Sequence, residues 1–220
     1  MTTVQQRFGL TGNQLKILAM IAMTCDHVGL QLLPQFPILR IIGRLALPIY
    51  AYMIAEGCRY THDRRQYLLR LAGLGALCQV VYFLAMGSLY QCILVTFSLS
   101  ASLIFLHESR YRKYFFPALL GIWFLCRVVP DLLPRTDFQI DYGTWGVLLP
   151  VFIYLSGNKG LFAGTLLLAL TYGGRQWWTF AAIPLLMLYN GQRGNWKIGK
   201  LFYFYYPAHL VIIYILSLIL

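Results

Sequence analysis

The chain is a succession of long apolar runs broken by short polar stretches. Apolar runs taken as membrane spans occur near 14–33, 38–58, 67–87, 89–107, 113–130, 143–157, 159–172, 176–190 and 200–220, against the roughly 20 residues needed to cross a bilayer. The stretches 143–157 and 159–172 are short, and "SGNKG" between them reads either as a re-entrant turn or as a break. The pattern predicts an all-α, polytopic integral membrane bundle of about nine transmembrane helices (range eight to ten). It leaves no linker or low-complexity segment, so 1–220 is expected to form a single transmembrane domain.

Composition agrees. The 220 residues are 59% hydrophobic and 11% charged, too little polar surface for a soluble globule, which carries about 25% charged residues. The N-terminal "MTTVQQRFGLTGNQ" leads into an apolar run with no small-residue cleavage site after it, and is expected to be a retained first span. Five cysteines, scattered without paired spacing, imply neither a disulfide framework nor a metal site.

A net charge of +11 would fit nucleic acid, but the distribution explains it otherwise. With a cytoplasmic N-terminus, the inside segments collect Arg7, Lys16, Arg59, Arg64, Arg65, Arg70, Arg110, Arg112, Lys113, Lys159, Arg193, Lys197 and Lys200. The outside segments collect only Arg127, Arg135 and Arg175, while Arg40 and Arg44 fall inside a span. This is the bias of cytoplasmic loops, so the basic residues report topology, and nucleic-acid binding is not expected. Asp131, Asp137 and Asp141 all lie in one outside segment.

Against this background a few polar residues stand where water is scarce. "AMIAMTCDHVGLQLLP" (19–34) carries Asp26 and His27 within the first span, and an ionisable group at such depth costs on the order of 3 kcal/mol. Arg40 and Arg44, four apart, share a face of the second span. The joining loop is only "PQFP", so the two helices are neighbours and the Asp26 carboxylate can pair with Arg40 or Arg44. Pro48 lies midway along the second span and Glu56 near its inner end. The last span places Tyr206, Pro207 and His209 near mid-membrane, where Pro207 is expected to kink the helix. Asp141, Tyr142 and Trp145 in "DYGTWG" would flank an outer mouth. Ordinary readings stand beside these: Arg40 snorkelling outward, Glu56 paired with Arg59, His209 as a packing residue, and His62 and His107 as solvated ends.

A buried histidine near arginines and a carboxylate suits general-base work, and the arginines suit a developing oxyanion or an anionic substrate group. No activated serine or cysteine nucleophile is evident, and no histidine pair at i, i+4 offers metal ligands. The residues by themselves leave acyl transfer, proton-coupled transport and intramembrane hydrolysis open, although no internal repeat of the kind transporters favour is evident.

Four stretches in order, "LKILAMIAMTCDHVG", "LRIIGRLALPIYAYMIAEGCRYTHDRRQYLLRL", "DYGTWGVLLP" and "FYFYYPAHL", resemble the motifs of the TraX family, membrane proteins named for an acetylase of conjugative F-type pilin. The likeness runs from about residue 13 to 212, with 89–140 contributing little. The first span also resembles, distantly, the acyltransferase-3 type of membrane acyltransferase, in which a basic residue precedes an essential histidine by eleven positions. Lys16 and His27 have that spacing, although the first position is usually arginine. The resemblance implies acetyl-CoA as donor; the residues themselves lead to the expectation of no metal, and the absence of organelle signals to that of a bacterial inner-membrane location. The resemblance implies as acceptor the N-terminal amine of a membrane-embedded pilin, with a surface glycan hydroxyl as an alternative; the buried polar groups, used as a relay, leave a proton-coupled transporter or flippase as a different class. On this reading His27, Asp26, Arg44 and His209 are catalytic. Arg40, Glu56, Tyr206, Asp141 and Tyr142 bind substrate, and Lys16, Arg59, Arg64, Arg65 and Arg70 hold the CoA phosphates.

Overall fold

A computed structural model describes residues 8–196, the backbone of 199–203 and all of 204–219. Arg7 and Lys197, and the side chain of Lys200, counted above as inside charges, lie outside what is described. The described residues are all-helical, with two isolated bridges, Leu10 to Tyr189 and Gln91 to Ile140, and no extended strand. In order come α1 (Gly12–Gln31), α2 (Pro37–Gly43), α3 (Ala46–Tyr60), α4 (Arg64–Met86), α5 (Ile93–His107), α6 (Phe115–Leu132), α7 (Gly143–Ser156), α8 (Asn158–Tyr172), α9 (Ala182–Met187) and α10 (Gly199–Ile219). They form two compact units, one of 1–53 with 175–220 and one of 54–174, the boundary falling within α3.

In the first unit, α1 starts at a capping box: the Gln14 side chain accepts from the Thr11 backbone N–H at 2.8 Å and Thr11 Oγ1 accepts from Gln14 N–H at 3.4 Å. The first N–H groups of the helix are met by the 188–196 loop, Gly12 donating to the Gln192 carbonyl at 2.8 Å and Asn13 to Arg193 at 2.9 Å. The Asn13 side chain donates to the Trp196 carbonyl at 2.8 Å. Two distant parts of the chain thus close on the N-terminal turn of α1.

The predicted second span, 38–58, is present but broken. Pro48 has no N–H for the Arg44 carbonyl, and its ring crowds that carbonyl, so the α-helix lapses at Arg44–Leu45. Arg44 and Leu45 instead donate to Ile41 and Ile42, each at 3.1 Å. The break lies four residues before the proline and places Arg44 at the turn. Pro207, expected to kink the last helix, lies inside α10, which runs without interruption from Gly199 to Ile219.

In the second unit, α5 packs against α4, α6 and α7, and Ser100 Oγ donates across to the Val147 carbonyl at 2.7 Å. "SGNKG" is a break of one residue, Gly157, whose φ of 55° and ψ of −129° suit only a residue without a side chain. It reverses the chain into a hairpin in which a Cβ at Gly160 would strike the Phe152 carbonyl and one at Gly164 the Leu149 side chain. Large apolar residues on α4 (Leu77, Phe83, Leu84) and α6 (Phe116, Leu120, Trp123) are exposed, as expected of lipid-facing helices.

Three described stretches, Pro37–Tyr60, Arg64–Met86 and Arg112–Leu132, with 24, 23 and 21 residues, are long and apolar enough to cross a membrane. Among the described residues the expected nine are not found at that length. α5, α7 and α8 hold 15, 14 and 15 residues, about 21–23 Å against a hydrocarbon core of about 30 Å. The predicted span 176–190 is a 3-10 segment, Gly174–Ala181, followed by the six-residue α9. Gly173 and Gly174, at φ of 61° and 47°, turn the chain, and Pro184 lies inside the short α9.

Candidate functional site

Asp26 and His27 are adjacent on α1 but face different partners, as the 100° step of a helix requires. The Asp26 carboxylate accepts from both arginines: from Arg40 at 2.7 Å, and from Arg44 through its other oxygen. Arg40 also donates to the Asp26 carbonyl at 3.2 Å. Asp26 is the only acidic side chain of the first unit, so its single negative charge faces two guanidiniums.

Two glycines make the pairing possible. Gly43 leaves the space into which the Asp26 carboxylate fits, since a Cβ there would overlap it. Gly29 admits the Leu39 side chain in the same way, a Cβ falling 2.7 Å from it. Both lie where α1 and α2 cross.

Arg44 is 9% exposed and is oriented at several points. Beside the Asp26 bond, its Nε donates to the Arg40 carbonyl at 3.3 Å and a terminal nitrogen donates to Gln176 Oε1 at 3.2 Å. Gln176, in the 3-10 segment after the two glycines, was not singled out by the sequence. No spacing marks it, because its partner lies 132 residues away.

His27 meets α10. Its Nδ1 lies 2.8 Å from His209 Nε2, with ring centroids 5.0 Å apart and planes 12° from parallel. His209 Nδ1 lies 2.9 Å from the Tyr205 carbonyl. A carbonyl only accepts, so His209 carries its proton on Nδ1 and, when neutral, offers the Nε2 lone pair. His27 therefore donates from Nδ1, which leaves the lone pair on His27 Nε2.

Tyr205 is itself held. Thr24 Oγ1 donates to the Met20 carbonyl at 2.9 Å, so it accepts from the Tyr205 hydroxyl, which touches it. Tyr206 is 8% exposed, and its ring meets His209 edge-on at 5.4 Å. His27 lies within electrostatic range of Arg40 and Arg44. Asp26, His27, Arg40, Arg44, Tyr206 and His209 thus gather in one unit.

Lys16 stands on α1 eleven residues before His27, roughly 16 Å along the axis, within electrostatic range of Arg193. The remaining residues of interest belong to the second unit. Glu56 pairs with Arg59 at 2.7 Å, and Arg59 also donates to the Tyr154 carbonyl at 3.0 Å. Arg64 lies over the Phe105 ring at 5.5 Å, Arg70 bonds Gln66 one turn earlier, and Arg65 is exposed. Asp141 accepts from the Tyr90 hydroxyl at 2.6 Å. Tyr142 takes a φ of 56°, the one non-glycine in the left-handed region among the described residues.

These features define a helical membrane protein in which an Asp26–Arg40–Arg44 ion cluster and a His27–His209 contact gather in one unit. The chain matches the TraX protein family over residues 11–217 and belongs to it. It is 26% identical to the probable fimbrial assembly protein FimC, serogroup H1, of Dichelobacter nodosus, covering 91% of this chain and 93% of that protein. It is 27% identical to the uncharacterized protein RP591 of Rickettsia prowazekii (strain Madrid E), covering 66% of this chain and 55% of that one. No solved structure matches significantly.

Proposed function

We propose that this TraX-family protein is an acetyl-CoA-dependent membrane acetyltransferase whose acceptor is the N-terminal amine of a pilin subunit. One observation carries the reading: the bond chain from the Tyr205 carbonyl through His209 to His27 leaves the Nε2 of His27 as a proton acceptor of fixed orientation. A general base needs that arrangement. Membership in TraX and the likeness to a probable fimbrial assembly protein support a pilus-type acceptor.

In the proposed step the acceptor nitrogen attacks the thioester carbonyl carbon. The N–C bond forms, the C–S bond breaks, and the amine proton passes to His27 Nε2. His27 then returns the proton to the departing CoA sulfur, so amide and free thiol are the products. The oxyanion that develops is opposed by the Arg40 and Arg44 pair, whose two positive charges exceed the one of Asp26. Asp26 and Arg44 are assigned with His27 and His209 to this centre, with Arg40 and Tyr206 on substrate.

Lys16, Arg59, Arg64, Arg65 and Arg70 are proposed to receive the CoA phosphates, and Glu56, Asp141 and Tyr142 the acceptor. The same reading places the N-terminus in the cytoplasm and the chain, crossing several times, in a bacterial inner membrane. Its shorter helices would be accommodated by local thinning of the bilayer.

The test is reconstitution with acetyl-CoA and, in parallel, processed pilin or a surface glycan, followed by mass spectrometry of the pilin N-terminus and of the glycan. An acetylated N-terminal amine supports the reading. Acetyl on a glycan hydroxyl instead would keep the mechanism and change the acceptor, and an unmodified acceptor with acetyl-CoA unconsumed would overturn both.

A further inference from the structure

Gln176 is 5% exposed, and its Nε2 has no hydrogen-bond partner among the described residues. The orientation of the amide is decided by its neighbour. Arg44 only donates, and it lies 3.2 Å from Oε1, so the NH2 group faces away from the guanidinium. The backbone is held too, the Gln176 carbonyl accepting from Thr179 Oγ1 at 2.7 Å. A buried NH2 left without an acceptor bears its full desolvation cost, and native structures rarely keep one without a reason.

We infer that Gln176 is a binding residue for the acyl carbonyl oxygen of the donor, an inference that rests on the acetyl-transfer reading. The missing partner must be a hydrogen-bond acceptor. It would stand beside Arg44, in a unit whose one acidic side chain is already taken by two arginines, so a neutral or developing negative oxygen fits. A thioester carbonyl is that oxygen in the ground state and becomes the oxyanion on attack. Gln176 supplies a neutral donor while Arg44 supplies charge, and the bond between them ties the position of one to the other.

The experiment compares binding of acetyl-CoA and of CoA, which lacks the carbonyl, to the purified full-length protein in detergent. Gln176→Glu keeps the acceptor for Arg44 and replaces the NH2 by oxygen; Gln176→Met removes both polar atoms. The wild type is expected to prefer acetyl-CoA by roughly five- to tenfold, the scale of one hydrogen bond. Both variants are expected to lose that preference, with CoA affinity unchanged and, for Gln176→Glu, an unliganded melting temperature at or above that of the wild type. A preference that persists in both variants would overturn the inference and leave the acyl-transfer reading standing. Equal binding of acetyl-CoA and CoA by the wild type would also overturn it, and binding of neither would overturn both.

Discussion

His27 and His209 are joined Nδ1 to Nε2 at 2.8 Å, and the Tyr205 carbonyl at the far side of His209 fixes which of them donates. The relationship crosses 182 residues of sequence and makes His209 a positioning residue for the tautomer of His27.

His209→Phe keeps a flat ring and removes the acceptor, so His27 loses its tautomer lock. The turnover rate should fall by about 10²- to 10⁴-fold with the KM for acetyl-CoA little changed. His209→Gln, whose amide oxygen can replace Nε2 as acceptor, should recover part of the rate. Equal loss in both variants, or a change confined to KM, would count against the positioning role.

Asp26→Asn leaves two guanidiniums without their carboxylate. Breaking one side of a fully buried ionic cluster costs about 3–5 kcal/mol; this one is largely buried, so the melting temperature should drop below that of the wild type. Replacing Arg40 and Arg44 by Met in the Asp26→Asn background should restore much of the loss while activity stays absent. Thermal melts of the single and triple variants measure this coupling.

Gly43→Ala would push a methyl into the space of the Asp26 carboxylate and force α1 from α2. Overpacking of this kind costs about 1–3 kcal/mol. Gly73→Ala and Gly121→Ala serve as controls, because a Cβ at either site meets nothing within 4 Å. They should be neutral or stabilising by up to about 1 kcal/mol through helix propensity. Equal melting temperatures for all three variants would contradict the helix contact described.

Asp137 makes the link in the loop between α6 and α7 sensitive to acid. Ser88 Oγ and the Leu89 N–H donate to its carboxylate, the latter at 2.7 Å, and hold it below its ordinary value of 3.8. A lowered carboxylate stabilises the folded link above its unfolded value, and the contribution disappears as the pH falls through the lower folded one. Amide exchange at 88–90 should therefore quicken below about pH 4, and Asp137→Asn should remove the dependence. Acid-insensitive exchange in the wild type would refute the link.

The ion-paired half of the site was legible because its signals are local. The short "PQFP" loop forces two helices together, and the four-residue spacing of Arg40 and Arg44 aims both at one neighbour. The structure goes further only in pairing Asp26 with both. The histidine contact was less legible, since sequence places His27 and His209 at similar depth but says nothing of which faces meet. Gln176 gave no signal, being an isolated polar residue at the start of a stretch read as a span. That misreading of 176–190, and the shortness of α7 and α8, share a cause: apolar content marks burial from water, but glycine and proline positions decide whether a buried stretch is one long helix.

Whether His27 is the base of an acetyl transfer is decided by radiolabelled transfer from acetyl-CoA in reconstituted membranes, comparing the wild type with His27→Ala at equal folded amounts. Label on the pilin N-terminus with the wild type, lost with His27→Ala while acetyl-CoA binding survives, is the predicted result. Equal labelling by both proteins would contradict the role of His27, and no labelling by either, with the donor neither bound nor consumed, would contradict the acetyl-transfer account itself.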